Sequence, residues 1–254
     1  MIYDLQKANF LKRLSAYILD LILLIIVATG VAWITSTIVD FSGHVEIIEA
    51  KKTEYEQAHG VDFDISEQDF LKLTVEEQQK ITHVHDELFA KDQTVLKEYN
   101  LIYSFMLLIT SISLFVAHLV TEFIIPLILK NGQTVGKKIF GIAVMHTNSV
   151  RIKHLTLFVR SILGKYTIET MIPVIIAIMI FFGITGIVGT MVLLGMFALQ
   201  VVLLCVTKNG SCLHDLLSNT VAVDMASQMI FDTEEQMIEY VNEQHKKKVE
   251  KSPY

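Results

Sequence analysis

Three apolar blocks leave this chain few ways to fold. Residues 14–39 carry Asp20 as their only charge, residues 101–129 are interrupted by His118 and Glu122, and residues 166–206 carry only Glu169. Crossing a bilayer takes about 20 consecutive apolar residues. The first two blocks are therefore one span each, and the third is long enough for two. Gly183, Gly186 and Gly189 lie near the middle of that third block, where a tight helical hairpin would turn. The expected fold class is all-α, an integral membrane bundle of about four transmembrane helices. A hydrophobic content of 52% with 19% charged residues suits that class better than a soluble domain.

The parts then follow in order. Residues 1–40 hold the N-terminus and first span, 41–100 a loop, 101–129 the second span, and 130–165 a basic segment. Residues 166–206 hold the third and fourth spans, and 207–254 a tail. The loop carries fourteen acidic residues against six lysines, whereas 130–165 carries seven basic residues and no acidic one. Lysine and arginine accumulate on the cytoplasmic side of membrane proteins. Both termini and the basic segment are thus expected in the cytoplasm, with the acidic loop outside. Four spans give the same parity.

Within the loop, Thr74 and Glu77 form a capping-box pattern ahead of a helix over 75–91. Asp62 and Asp64 begin like a calcium loop, but Glu67 and Leu73 occupy the positions that need glycine and glutamate, so that reading fails. His83 and His85 point to different sides of a helix and read as solvated. In the basic segment, two β-like runs at 138–145 and 150–153 suggest a short hairpin. Residues 154–163 read as an amphipathic helix on the membrane surface. The tail ends in a helix capped by Thr233.

The charges inside the spans carry the functional expectation. A charged side chain at such depth costs about 2–3 kcal/mol on insertion scales, so it normally has a partner or a task. From Arg13, Tyr17 follows at i+4 and Asp20 at i+7, which predicts one shared face. His118 lies four residues before Glu122, also on one face. Asp20, Glu122, His118 and Glu169 are the expected ion- or proton-binding residues, with Asp20 central. The competing reading is structural: Arg13, Asp20, Arg160, His214 and Asp215 form a charge network that fixes helix packing. No HExxH, GxSxG or phosphate-loop pattern occurs, so no catalytic residue, cofactor or metal centre is expected. Cys205 and Cys212 suggest neither a disulfide framework nor a zinc site. Nucleic-acid binding is excluded because the basic residues adjoin the membrane.

These residues resemble the RDD family of bacterial membrane proteins, named for one arginine and two aspartates. Arg13 and Asp20 match its first-span pair. Gly132, Thr134, Gly136, Lys137, Gly141 and Val144 match a G-x-T-x-G-K-x-x-x-G-x-x-V pattern. Leu213, His214 and Asp215 match an L-H-D pattern, and Arg160 matches a further arginine. The resemblance implies a multi-span protein of the bacterial plasma membrane. Some members are linked to exchange of sodium, potassium or lithium for protons. The expected partners are lipid, monovalent cations and protons, with a homo-oligomer because four spans make a thin pathway. The alternative is a scaffold or accessory subunit whose loop 41–100 or tail recruits a protein.

Overall fold

The computed structural model describes residues 5–207 and 209–251. Four of its helices are long and apolar enough to cross a membrane: Phe10–Ile38, Gln93–Leu129, His154–Phe181 and Gly186–Val206. Large apolar side chains such as Ile22, Trp33, Leu194 and Phe197 stand exposed on them. A helix that is apolar all round needs lipid as its solvent. The protein is an integral membrane helical bundle.

The chain divides into two compact units, Gly30–Ser113 and the remainder. The first begins with the last turns of α1 (Phe10–Ile38), which ends at a left-handed Asp40, and α2 (Phe41–His59) follows. A single turn, α3 (Glu67–Phe70), precedes α4 (Val75–His83), where Thr74 and Glu77 make the expected capping box. The helical run continues as a π-helical segment over Val84–Phe89. Ile48, Phe89 and Val95 are buried together, with Tyr55, Phe63 and Ile102 packed on them. The second spanning helix begins at Gln93, upstream of the apolar block, because Asp92 accepts the free N–H groups of Thr94 and Val95. It runs as α5 (Gln93–His118), a π-helical segment (Leu119–Ile124) and α6 (Ile125–Leu129).

The other unit holds two departures from expectation. After α7 (Val135–Ile139), strand β1 (Ile142–His146) turns back onto residues 150–153 through one antiparallel bridge and not a full ladder. Its partner is a strand from beyond the last span, β2 (Thr220–Asp224), antiparallel with Ile142 opposite Asp224 and His146 opposite Thr220. Residues 150–153 lack the length for a ladder. They supply one bridge, Met145 with Arg151, and Val150 in turn bridges to Phe231. On the far edge Lys7 bridges to Val223. Both faces of the ribbon are covered: Ile142 and Ala222 pack with Ala8 and Ala16, while Ala143, Met145, Val221 and Val223 cluster beneath Leu5 and Ile230. Burial on two faces explains the unbroken apolar run at 142–145, which alternation would have marked had one face been wet.

The second departure concerns the expected surface helix at 154–163. It is continuous with the third span: α8 (His154–Phe158), a π-helical segment over Val159–Met171, and α9 (Ile172–Phe181). Gly164 does not interrupt the helix, so Arg160 and Lys165 lie inside the spanning helix. The glycine-rich turn falls as expected, and α10 (Gly186–Val206) completes the hairpin. Then come α11 (Leu213–Leu217), β2 and α12 (Glu234–Lys251), whose start Thr233 caps by accepting the N–H of Gln236.

Met145 is fully buried, and Leu194 faces outward on α10. Met145→Ala should cost roughly 2–5 kcal/mol, read as a lower melting temperature in detergent. Leu194→Ala should shift that temperature little.

Candidate functional site

Asp20 is fixed by α7 rather than by another charge. Its Oδ1 accepts the N–H of Gly136 at 2.8 Å and its Oδ2 accepts the hydroxyl of Thr134. The close approach requires a glycine, since a Cβ at position 136 would stand 2.3 Å from the carbonyl oxygen of Ala16. The helical face that faces inward is therefore Ala16 and Asp20, four residues apart, and Tyr17 lies exposed. Arg13 does not pair with Asp20 either. Its guanidinium donates to the carbonyl of Gly210 at 2.7 Å.

Glu122 meets a partner absent from the sequence reading. The ammonium of Lys165 lies 2.6 Å from its Oε1, and both side chains are largely buried. His118 shares the neighbourhood. Its Nδ1 contacts the carbonyl of Leu114 at 2.8 Å and its Nε2 the hydroxyl of Thr170 at 3.2 Å. Half-buried Lys137 projects from α7 into the same field. Burial, the Lys165 ammonium and Arg160 push its pKa down to about 7, with Glu122 and Asp20 opposing.

A third group ties α11 to the π-helical segment of the third span. Arg160 pairs with Asp215 Oδ1 at 2.8 Å, and the hydroxyl of Thr220 donates to the same oxygen at 3.0 Å. Glu169 accepts the backbone N–H of His214 at 2.9 Å and contacts its Nδ1 at 2.8 Å. Gly164 admits this contact, because a Cβ there would lie 2.6 Å from that of His214. Burial pulls the His214 imidazole below its ordinary value, against Asp215 and Glu169. Burial opposes ionisation of Asp215 as well. Arg160, His214 and Thr220 overcome it and hold the carboxyl at about 2.

Of the structural network expected from sequence, the pair Arg160–Asp215 forms and His214 lies beside Asp215 but bonds to Glu169, while Arg13 and Asp20 go elsewhere. Gly132, Thr134, Gly136, Lys137 and Gly141 do come together around α7, with Gln133 Nε2 donating to the carbonyl of Ile142 at 2.9 Å. Lys165 and the π-helical geometry were missed. A signal for the latter existed: Pro126 and Pro173 each lie four residues after a buried or half-buried glutamate, Glu122 and Glu169. Proline removes the N–H that an α-helix would aim at those carbonyls and crowds them sterically. Widening to the π pattern relieves the crowding, and the N–H of Ile172 reaches back to the carbonyl of Thr167. π-helical turns recur at functional sites.

The sequence profile that defines the RDD family matches residues 7–219. The chain belongs to the RDD family. No curated protein and no solved structure matches it significantly. In this RDD protein the named arginine and aspartates are thus not one cluster: Asp20 anchors α7, and Asp215 neutralises Arg160.

Asp215 titrates at about 2 when folded, against 3.8 for the free side chain. A depressed carboxyl stabilises the fold above its unfolded pKa and loses that contribution as pH falls through the folded one. Its share, on the order of 2 kcal/mol, should vanish between about pH 4 and 2. Asp215→Asn should be less stable at pH 7, and its unfolding in detergent should depend less on pH across that window.

Proposed function

We propose that this RDD protein exchanges a monovalent cation for protons across the bacterial plasma membrane, with the cation held at Glu122 and the proton carried by Lys137. The observation that carries this reading is the buried Glu122–Lys165 pair beside Lys137, whose pKa burial and the neighbouring cations push down to about 7. Buried Asp20, Glu122 and Asp215 and half-buried Glu169 share this region with Lys137, Arg160 and Lys165. Loss of one proton from Lys137 removes one positive charge. A sodium, lithium or potassium ion arriving at a Glu122 oxygen restores it, so one-for-one exchange leaves the local charge unchanged. A carboxylate oxygen suits such a hard cation. The charge pattern along the chain supports both termini and the basic segment in the cytoplasm, which puts this site near the inner surface. The thin pathway of four spans favours a homo-oligomer.

Asp20 takes a different role in this reading from the central one expected of it. With two donors already on its oxygens, it positions α7, and through α7 Lys137. Asp20→Asn would set an amide N–H₂ against one of those donors, at about 1–3 kcal/mol. The scaffold reading retains one support, the separately packed acidic unit Gly30–Ser113 with its own small core.

The deciding assay is dissipation of a proton gradient in inverted vesicles on adding sodium, lithium or potassium. Wild type should give a cation-dependent signal. Glu122→Gln should lower it at least tenfold at matched protein level, while Asp20→Asn should lower abundance and activity together. Lys137→Arg keeps its charge and should flatten the pH dependence around 7. A silent, well-expressed wild type would sink the exchange reading, as would full activity in Glu122→Gln.

A further inference from the structure

Cys212, His214 and Asp215 present a thiol sulfur, an imidazole nitrogen and a carboxylate oxygen that all lie within 4.8 Å of one another. His214 and Asp215 are more than nine-tenths buried, and Cys212 is half-buried. The orientation of these groups is already set by other contacts. His214 Nδ1 lies 2.8 Å from the Glu169 carboxylate, so that nitrogen carries the proton and Nε2 is left with its lone pair. Asp215 Oδ1 is occupied by Arg160 and Thr220, which leaves Oδ2. Nε2 and Oδ2 stand 3.6 Å apart. Two electron-pair donors face each other there, beyond hydrogen-bond reach, with the sulfur of Cys212 alongside.

Such an arrangement is unfavourable in itself and favourable around a cation. Zinc bonds of about 2.0–2.3 Å to nitrogen, oxygen and sulfur put ligand atoms about 3.5 Å apart in a tetrahedron. The Nε2–Oδ2 separation already meets that spacing, and the sulfur lies within 4.8 Å of a ring nitrogen and a carboxylate oxygen of the same cluster. A metal-bound histidine commonly donates its other ring N–H to a carboxylate, which fixes its tautomer. Glu169 stands in that position. Mixed sulfur, nitrogen and oxygen ligands favour a borderline divalent transition ion over sodium or magnesium.

We propose that Cys212, His214 and Asp215 form a binding site for a divalent transition-metal ion of the zinc class, with a fourth position open to solvent. Half-buried Cys212 gives the entry route, and its thiol proton leaves to solvent as the ion binds. The bound ion clamps α11 against the π-helical segment of the third span through Glu169 and Arg160. This inference is independent of the exchange reading. It also revises the expectation from sequence, which weighed Cys212 only against Cys205 and foresaw no metal.

The test uses full-length, tag-free protein in detergent, titrated with cobalt(II) and then with zinc. The expected result is one cobalt per chain, a sulfur-to-cobalt charge-transfer absorption, and displacement by zinc. Cys205→Ser should behave as wild type. Cys212→Ser should abolish the charge-transfer band and weaken binding at least tenfold. Glu169→Gln should weaken binding about 10–100-fold yet keep the band at saturation. Thermal unfolding without metal checks that each variant is folded, and a rise in melting temperature with zinc gives a second readout if absorption is weak. Absence of saturable binding by wild type would overturn the proposal, as would binding unaffected by Cys212→Ser.

Discussion

Charge placed in an apolar bundle must be matched nearby, and this requirement shapes the whole unit that contains Glu122. Among the described residues, the acidic side chains in its spans each meet a charge or a set of oriented dipoles. Asp20 meets a hydroxyl and a backbone N–H, Glu122 meets Lys165, and Glu169 meets His214. Those contacts are also what hold the elements together. α7 hangs on α1 through Asp20, and α11 hangs on the third span through Arg160 and Glu169. Removing either member of such a buried pair leaves the other stranded. Electrostatic matching and tertiary architecture are therefore one problem here.

Backbone geometry makes the matching feasible. An ordinary α-helix carries residues 160, 165 and 169 around its circumference at 100° per residue. The π pattern winds more slowly, so Arg160, Lys165 and Glu169, at spacings of five and four, gather toward one side. The prolines at 126 and 173 mark where that pattern gives way to α6 and α9.

Much of this was legible in the chain. The spans follow from apolar length, the hairpin from its glycines, and the capping box from Thr74 and Glu77, because each is a local effect. The inward position of Asp20 was legible too, since a buried carboxylate cannot face lipid. Its partner was not, because Thr134 is polar without being charged and sits in a loop more than a hundred residues away. The pairing of β1 with β2 escaped for a similar reason: two short strands carry no mark of which distant strand they will join. Lys165 counted only among the basic residues of the 130–165 segment, since nothing in sequence shows that the third helix starts at His154. Glu122 and Asp20 thus looked alike in the sequence, and only the difference between an ammonium and a helix N-terminus separates their roles.

The small sheet has a consequence for biosynthesis. Its β1 strand emerges from the ribosome well before β2, and the last two spans must be inserted in between. Until that happens Ile142, Val144 and Met145 have no partner strand, and the edge residues near Lys7 have nothing to bridge. The ribbon is a long-range contact and forms late. It closes a loop that contains both final spans, so its formation reports that they have entered the bilayer with the proper topology. A chain stalled or inserted wrongly would expose an unpaired apolar strand, the kind of surface by which chaperones and membrane proteases recognise unfinished proteins.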